Sequence, residues 1–201
     1  MKDQFLKEGR INQKLQTRSE ILKSAQILLN KERQITLEKV AEHAGISRAT
    51  IYRYFSNIEL LTTEALLHTH FLRPDELQKK VEGMSMEETI HALQHHYNVI
   101  SQEHELVFRR YLSVTLKESI ISKKKLRGAR RVEALKLALK PFEGLLSKED
   151  HKRLIHISTL LMGIDALLVC KDVCELNNDE ANELLEWALD LILRSVQKGS
   201  S

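Results

Sequence analysis

The stretch AGISRATIYRYF, residues 44–55, decides the fold of the N-terminal part of the chain. A lone glycine, Gly45, follows a short amphipathic run and stands where a left-handed backbone conformation ends a helix at little cost. Ser47 can then cap a second helix, RATIYRYF, through its side-chain hydroxyl. This second helix concentrates more hydrogen-bonding groups at one end than a core-facing helix uses. The stretch therefore predicts two short helices, a tight turn, and a polar tip that faces outward.

Apolar residues on both sides of the turn predict how the two helices pack. Thr36 can cap the first helix, LEKVAEHA, and the small side chain of Ala41 lets the helices approach closely. Phe55 falls on the buried face, and the predicted seam between the helices is formed by Val40, Ala44, Ile46 and Ile51. Two short helices joined in this way make a helix-turn-helix. The side chains left facing outward are Arg48, Thr50, Tyr52 and Arg53.

These outward side chains have the chemistry that reads duplex DNA. At the start of the second helix of a helix-turn-helix, side chains reach base edges in the major groove. Arg48 can donate two hydrogen bonds to guanine O6 and N7, and Thr50 can bond a base or pack its methyl group on thymine. The hydroxyls of Tyr52 and Tyr54 can reach phosphate oxygens, and the helix start at Ser47 adds free backbone N–H groups. For Tyr54, core packing is the alternative.

The segment TLEKVAEHAGISRATIYRYFSNIELL, residues 36–61, closely resembles the DNA-binding signature of the TetR family of bacterial transcriptional regulators (TetR/AcrR type). The shared pattern is a capped second helix, an Ala-Gly-(Val/Ile)-Ser turn, and a recognition helix that ends Tyr-x-(His/Tyr)-Phe. The resemblance covers residues 17–72 well and the remainder in outline. The family usually carries a lysine at the position of Ile58, so Asn57 or the basic N-terminal arm is the candidate substitute for that phosphate contact. The resemblance implies phosphate contacts by Thr36, Tyr52 and Tyr54, base-facing positions at Ser47, Arg48 and Thr50, and a backbone contact by Arg18.

The composition indicates an all-α protein. The 201 residues include two prolines and seven glycines, and Leu, Glu, Lys and Ala abound while aromatic and β-branched residues are sparse. Thr17 and Glu20 form a predicted capping box, and the residues before Thr17 are either a frayed arm or an extension of that helix. Apolar spacing and capping signals predict about nine helices, at 17–31, 37–44, 48–55, 59–72, 85–101, 103–121, 130–139, 148–175 and 179–197.

We expect two domains, which differ in charge. The N-terminal three-helix helix-turn-helix DNA-binding domain spans 1–58, with the helix at 59–72 as a linker, and 73–201 form a C-terminal helical bundle for ligand binding and dimerisation. Residues 1–60 hold eleven Lys and Arg against seven Asp and Glu, giving +4, whereas residues 61–201 hold twenty against twenty-one, giving −1. A basic head beside a near-neutral body is consistent with a polyanionic partner.

The last two predicted helices are apolar on more of their surface than one small core can cover. Leu, Ile, Met and Val recur nearly all round the helix at 148–175, and the helix at 179–197 is also rich in leucine. Two such pairs packed across a two-fold axis would form a four-helix interface, with a single buried core as the alternative. We expect a homodimer whose interface includes Leu161, Leu168, Leu184, Trp187 and Leu191.

The resemblance implies a pocket for a small-molecule effector in the bundle between residues 75 and 175. The candidate ligand-binding residues are His95, Phe108, Tyr111 and Asp165. A carboxylate such as Asp165 in so apolar a helix needs a partner, from a neighbouring helix, across the dimer or from a cationic ligand. The basic run KKKLRGARR, residues 123–131, is either a solvated loop or a site for an anionic effector.

Histidine spacing raises the question of a metal. His91 and His95 are four residues apart on a predicted helix, with Glu88 three residues before His91, and such spacing can hold a metal ion. Histidines on a polar helix face are commoner than metal sites. We therefore expect no metal and no other cofactor.

The sequence offers no support for an enzyme or a membrane protein. It contains no G-x-S-x-G, H-E-x-x-H, P-loop or dinucleotide glycine motif. It also contains no run of eighteen apolar residues and no apolar segment of a signal peptide at its start. Cys170 and Cys174, four apart in a helical stretch, lie too far apart for a disulfide, which predicts reduced thiols in a cytoplasmic protein.

The sequence therefore predicts a ligand-responsive homodimeric transcriptional regulator, a repressor that binds a palindromic operator in double-stranded DNA through the helix at 48–55. A small molecule in the C-terminal bundle would release it by favouring the state that cannot bind DNA. We expect it in the bacterial cytoplasm, associated with the nucleoid when bound to its operator. One alternative is a regulator whose C-terminal bundle binds a partner protein. The other, an enzyme with a DNA-binding head, has no motif in its favour.

Overall fold

The computed structural model describes residues 2–32, 34–68, 72, 74–123 and 126–198. These residues form α-helices joined by short connections, with no strand among them, so the all-α prediction is confirmed. In the described part of the chain the α-helices are α1 (Lys2–Lys31), α2 (Leu37–His43), α3 (Arg48–Tyr54), α4 (Ile58–His68), α5 (Pro74–Lys80), α6 (Met86–Glu103), α7 (Glu105–Ser122), α8 (Arg130–Ala138), α9 (Lys148–Leu160), α10 (Ile164–Asp172) and α11 (Asn178–Lys198), with a short 3-10 helix at Lys140–Phe142.

Two differences explain why eleven helices are found in the described residues where about nine were predicted. Helix α5 begins at Pro74, because proline at the first helical position lacks an N–H that would have no partner there anyway. The predicted helix at 148–175 is two helices, α9 and α10, which are bent by 51°. Within the described residues no single helix is long and apolar enough to cross a membrane, and this bent pair meets the test only when both helices are counted together.

The predicted capping box at Thr17 is wrong. Helix α1 runs through this position from Lys2 to Lys31, so the residues before Thr17 extend the helix. The Thr17 hydroxyl donates to the carbonyl oxygen of Gln13 at 3.0 Å, a bond that a threonine makes inside a helix and not at its start. Glu20 instead accepts a hydrogen bond from the side chain of Gln16 at 3.1 Å.

The helices group into two compact units. The first unit consists of Met1–His70 with Arg110–Leu126, and the second unit consists of Phe71–Arg109 with Arg127–Ser201. Helix α7 contributes residues to both. The predicted domains, 1–58 and 73–201, remain a prediction.

The core of the first unit forms where the apolar stripe of α1 meets α2, α3 and α4. Phe55, Ile51 and Ile21 are completely buried there, and the burial of each such side chain contributes roughly 1.5–3 kcal/mol. The expectation that Phe55 is buried is confirmed. The buried residues of this core are Ile21, Leu22, Ala25, Ile35, Leu37, Val40, Ala41, Ile51, Phe55, Leu60, Leu61, Ala65 and Val114.

The second unit has one main core and a smaller cluster. The main core joins α5, α6, α8, α9 and α11, and its largest fully buried side chains are Ile90, Leu93, Leu135, Leu139, Leu154 and Met162. The smaller cluster packs α10 against α11 through Ala166, Leu167, Cys170, Ala181 and Leu185. Burial raises the pKa of the Cys170 thiol, which therefore stays protonated at neutral pH.

The break between α9 and α10 is closed by polar side chains of α6. A helix end leaves backbone groups without helical partners, and inside a core these groups need others. The amide of Gln94, which is fully buried, donates to the carbonyl oxygens of Leu161 at 2.8 Å and Leu185 at 3.0 Å. One turn on, the Asn98 carbonyl oxygen accepts the N–H of Gly163 at 2.8 Å. Residues four apart on α6 thus satisfy both sides of the break.

Arg131 of α8 closes the same break from another direction. Its guanidinium donates to the carbonyl oxygens of Met162 and of Thr159, the latter at 3.3 Å. Gly163 has a φ of +77°, and a Cβ there would lie 3.1 Å from Nη1 of Arg131. The positive φ favours glycine at this position, and a larger side chain would also have to displace the Arg131 guanidinium.

We predict that Asn98→Ala lowers the free energy of unfolding by about 1–3 kcal/mol, because the buried N–H of Gly163 loses its acceptor. The measurement is a urea titration at fixed protein concentration. The matched control is Gln102→Ala, one turn further on α6, where the amide makes hydrogen bonds with the Asn178 carbonyl oxygen and the Asn182 side chain but with no buried backbone N–H. Equal losses for the two variants would contradict the assigned role of Asn98.

Candidate nucleic-acid interface

The helix-turn-helix consists of α2, the turn at Gly45 and α3, and its predicted caps are present. Thr36 accepts the N–H of Lys39 at 3.3 Å and caps α2. Gly45 adopts a φ of +65°, the left-handed conformation expected for a glycine that ends a helix. Ser47 accepts the N–H of Thr50 at 3.1 Å and caps α3. The local signals in the sequence therefore predicted the start of both helices and the turn.

One face of α3 is buried and the other is open to solvent. Ile51 and the following Phe55 are completely buried, which fixes the rotation of the helix about its axis. Arg53 is exposed on the opposite face, and at the edge of the buried face the side chain of Arg48 is 73% exposed and Tyr52 is 45% exposed. The structure thus exposes the three side chains of α3 that were predicted to face outward at these positions, Arg48, Tyr52 and Arg53.

The remaining predicted contacts on α3 differ in their surroundings. The hydroxyls of Ser47 and Thr50 lie 2.8 Å apart and share a hydrogen bond at the start of the helix. Tyr54 is half-buried and packs against the core of the first unit, so the packing alternative describes much of this side chain. The Arg53 guanidinium lies 5.9 Å from the centre of the Tyr54 ring.

Arg18, predicted to contact the DNA backbone, makes internal contacts in the structure. Its Nε donates to Oε1 of Glu64 at 3.0 Å, and its Nη2 pairs with Oε2 of the same carboxylate. Its guanidinium also lies 4.5 Å from the centre of the Phe55 ring. Arg18 therefore ties α1 to α4 at the position where α3 ends, and its contact with DNA remains a prediction.

Asn57 is also engaged within the first unit. Its side-chain oxygen accepts the N–H of Leu60 at 2.8 Å at the start of α4, and its amide donates to Glu118 at 3.2 Å. Ile58, which stands where the family usually has a lysine, packs against the core of the first unit. In the basic N-terminal arm, the other predicted substitute for that lysine, Lys14 is exposed.

A basic groove lies between α1 and α3. It encloses about 500 Å³ and is lined by Gln13, Lys14, Thr17, Ile46, Thr50, Arg53 and Tyr54. Lys14 is exposed, as is Arg53 across the groove. The polar and basic residues before Thr17 were the sequence signal for this flank, but Lys14 itself was not predicted as a site residue.

The opposite flank of α3 carries an acidic side chain that the sequence analysis did not predict. Oε1 of Glu38, in the first turn of α2, accepts the Tyr52 hydroxyl at 2.8 Å and lies 3.0 Å from Nη2 of Arg48. The hydrogen bond from Tyr52 lowers the pKa of Glu38, and the charge of Arg48 adds to this effect. The carboxylate is therefore ionised at neutral pH. It contacts both Arg48 and Tyr52 of α3.

The four candidate ligand-binding residues lie in different surroundings. His95 is exposed and lines a groove of about 330 Å³ in the second unit, together with Leu77, Lys80, Val81, Ala92, Leu93, His96, Val99 and Ile100. Phe108 is buried, and Tyr111 packs against the core of the first unit.

Asp165, the fourth candidate, pairs with arginines of the basic run. Arg127 donates to it at 2.6 Å and Arg131 at 2.5 Å. Desolvation raises the pKa of Asp165, but the hydrogen bond from Arg127 and the charge of Arg131 outweigh it and hold the pKa below its ordinary value. The chain itself supplies the cationic partner that this carboxylate needs. Of the run at 123–131, residues 124 and 125 lie outside the described residues.

The structure changes the set of side chains that could hold a metal. Glu88 accepts the backbone N–H of Ser85 at 2.8 Å in a capping box. His91 instead lies 2.9 Å from Asp190 of α11, and with Glu87 these residues place three possible ligand atoms within 4.8 Å of one another. His91 and Asp190 also contact each other directly.

The predicted dimer residues fall into two groups. Leu184, Trp187 and Leu191 form an exposed stripe on α11 at spacings of three and four residues, with Trp187 59% exposed. Leu161 and Leu168 are half-buried. Three further apolar side chains are exposed: Leu160 at the end of α9, Val169 in α10 and Val173 directly after α10.

Comparison with known proteins identifies the helix-turn-helix. Residues 33–71 match the model of a family described as bacterial regulatory proteins, tetR family, and this segment includes α2, α3 and α4. The chain matches none of the curated proteins and none of the solved structures with which it was compared. The resemblance predicted from residues 36–61 is confirmed. The segment that carries the helix-turn-helix is thus similar to the tetR family of bacterial regulatory proteins, and this similarity supports a DNA-binding transcriptional regulator.

Proposed function

We propose that the protein is a homodimeric repressor that binds a palindromic operator through the outer face of α3 and leaves it when a small molecule binds the second unit. The observation that carries the proposal is the arrangement of α3, with Ile51 and Phe55 buried in the first unit and Arg48, Tyr52 and Arg53 exposed to solvent. A cytoplasmic location, close to the chromosome, is part of the same proposal.

Base reading is assigned to the N-terminal half of α3. Arg48 is long, exposed and able to present two N–H groups to guanine O6 and N7. Thr50, one turn from the cap, offers a methyl group and a hydroxyl to the neighbouring base pair. Ser47 begins the helix, so the backbone N–H groups of the first turn are available to an adjacent phosphate.

Phosphate binding is assigned to the two flanks of the helix-turn-helix. The groove between α1 and α3 presents Lys14 and Arg53, whose charges attract a sugar–phosphate strand. Thr36, at the start of α2, adds a hydroxyl and the helix N-terminus. Tyr54 lines the same groove, and its hydroxyl is proposed to donate a hydrogen bond to a phosphate bound there.

Dimer formation is assigned to the exposed stripe on α11. Leu184, Trp187 and Leu191 are too apolar and too regularly spaced for a surface that stays in water. Pairing across a two-fold axis would bury each stripe against its copy. The two recognition helices would then have to enter successive major grooves, about 34–36 Å apart.

The effector response is assigned to the second unit. The groove that His95 lines is mainly apolar with a few polar groups, as small-molecule sites are. His96 in that groove has a buried Nε2 without a hydrogen-bond partner among the described residues, and burial lowers the pKa of this histidine. A ligand that binds better to the DNA-incompetent state would lower operator affinity by the ratio of its two affinities.

The first test is a selection of bound sequences from a pool of random double-stranded DNA. We expect enrichment of a palindrome whose half-sites are about one helical turn apart. The purified protein with Arg48→Ala, selected in parallel, should enrich the site less strongly. A pool without enrichment, or an asymmetric site bound by one chain, would contradict the proposal.

We predict that Arg48→Ala weakens binding to the selected operator by about 1–3 kcal/mol and relaxes preference at one base pair in each half-site. The measurement is a titration of operator and substituted operators at fixed salt. Lys14→Ala is the matched control, because loss of a phosphate contact should weaken binding to every duplex and reduce the salt slope by about one. If Arg48→Ala had the same uniform effect, base reading by Arg48 would be refuted.

We predict that Trp187→Asp converts the dimer to monomer, with a loss of about 2 kcal/mol or more of association free energy, because a carboxylate would be buried at the centre of the stripe. Sedimentation velocity over a range of protein concentrations is the measurement. Leu145→Asp, which changes another exposed apolar residue, should leave the dimer intact. An unaltered sedimentation profile for Trp187→Asp would eliminate this interface.

A further inference from the structure

The surface that faces DNA in the proposed function contains one carboxylate in direct contact with the base-reading arginine. Oε1 of Glu38 lies 3.0 Å from Nη2 of Arg48 and accepts the Tyr52 hydroxyl at 2.8 Å. Glu38 belongs to α2 and the other two residues to α3, so the contacts cross between the two helices of the motif. All three side chains are substantially exposed.

The two flanks of α3 therefore differ in charge. Towards α1 the groove presents Lys14 and Arg53, which attract phosphates. Next to Arg48 and Tyr52, on the α2 side, the ionised Glu38 repels them, because like charges in water at about 4 Å cost roughly 1 kcal/mol. A protein that bound DNA through charge alone would gain from losing this carboxylate.

We propose that Glu38 is a specificity-determining residue, which holds Arg48 for a base edge and withholds it from the phosphates of other DNA. The inference rests on the proposed function and names the positioning group within that same site. Glu38 itself contacts no base in this account, and it acts through Arg48.

The geometry of a guanidinium explains the selectivity. Arginine has five N–H donors in a rigid fork, and the pair with Glu38 uses Nη2. The remaining donors can still meet guanine O6 and N7, which are uncharged acceptors and do not repel the carboxylate. To reach a phosphate, Arg48 must either leave Glu38 or bring two anions together. The cost of binding is therefore higher on DNA that offers only phosphates.

Tyr52 fixes the carboxylate in this position. A phenol has one proton, and here it is donated to Glu38, so the hydroxyl cannot donate to a phosphate at the same time. The phosphate contact predicted for Tyr52 would require this hydrogen bond to break. Tyr52 is better assigned to the support of Glu38 and, through it, of Arg48.

The test compares Glu38→Gln with the wild-type protein on the selected operator and on a random-sequence duplex. Glutamine keeps an oxygen for the Tyr52 hydroxyl and removes the charge. We expect the variant to bind the random duplex about fivefold more tightly, with a salt slope steeper by about 0.9 as Arg48 becomes free to neutralise a phosphate. Operator affinity should change less. The dissociation constant for the random duplex divided by that for the operator should therefore fall.

Two controls separate positioning from simple repulsion. Glu42→Gln removes the same charge from the same helix at an exposed position, and it should change both duplexes equally. In a background that carries Arg48→Ala, Glu38→Gln should no longer alter the ratio of operator to random binding, because the positioned group is gone. A melting curve for each variant checks that the first unit remains folded.

Each outcome decides the matter. If Glu38→Gln lowers the ratio only when Arg48 is present, positioning is supported. If Glu38→Gln tightened binding to both duplexes equally, positioning would be overturned. The same would follow if the ratio fell equally in the Arg48→Ala background. Both results would leave DNA binding itself intact. A wild-type protein that binds no duplex at low salt would overturn the proposed function itself, and the assignment of Glu38 with it.

Discussion

The rotation of one short helix about its axis is the constraint on which the interface depends. Helix α3 has seven residues, too few for stable helix formation in water, so its order comes from tertiary packing. Ile51 and Phe55 provide that packing by complete burial in the first unit. Because successive residues of a helix turn by about 100°, burial of these two positions directs Arg53 to the outside and leaves Arg48 and Tyr52 at the edge of the buried side, next to α2. A substitution that weakened the packing of Ile51 or Phe55 would therefore change the orientation of the exposed side chains of α3 without altering those side chains themselves.

Electrostatic contacts then fix the positions of side chains that the packing of the helices orients only approximately. The ion pair of Arg18 with Glu64 joins α1 and α4 directly beside Phe55, and its guanidinium covers one face of that ring. On the outer surface, Glu38 restrains Arg48 in the same manner, with a carboxylate that is more exposed. The Arg18–Glu64 pair stabilises the helical scaffold, and the Glu38–Arg48 pair orients the side chain that is proposed to read a base. Both use the planar guanidinium, which can contact a carboxylate and still present a free edge or face.

Local signals predicted the helix-turn-helix, whereas features that depend on distant residues were missed. The conformation of Gly45 and the cap at Ser47 follow from the chemistry of one or two residues, and both predictions hold. The break at Gly163 was missed because the apolar run around it is continuous, and the side chains that satisfy the break come from α6 and α8. The arginine partners of Asp165 and the role of Glu38 likewise require residues far apart in sequence to meet. Sequence patterns indicate which groups need partners, and only the fold identifies them.

The break between α9 and α10 also shows how buried polar side chains in the second unit can depend on one another. Gln94, Asn98 and Arg131 reach consecutive backbone groups of one short segment, from two different helices. Loss of any one leaves a buried group unsatisfied, and the segment can then relax only by disturbing the contacts of the other two. The costs of removing them should therefore not be additive, since each depends on the segment that the others hold in place. A movement of α6 relative to α8 would have to break this set together, which favours discrete arrangements of the second unit over gradual deformation.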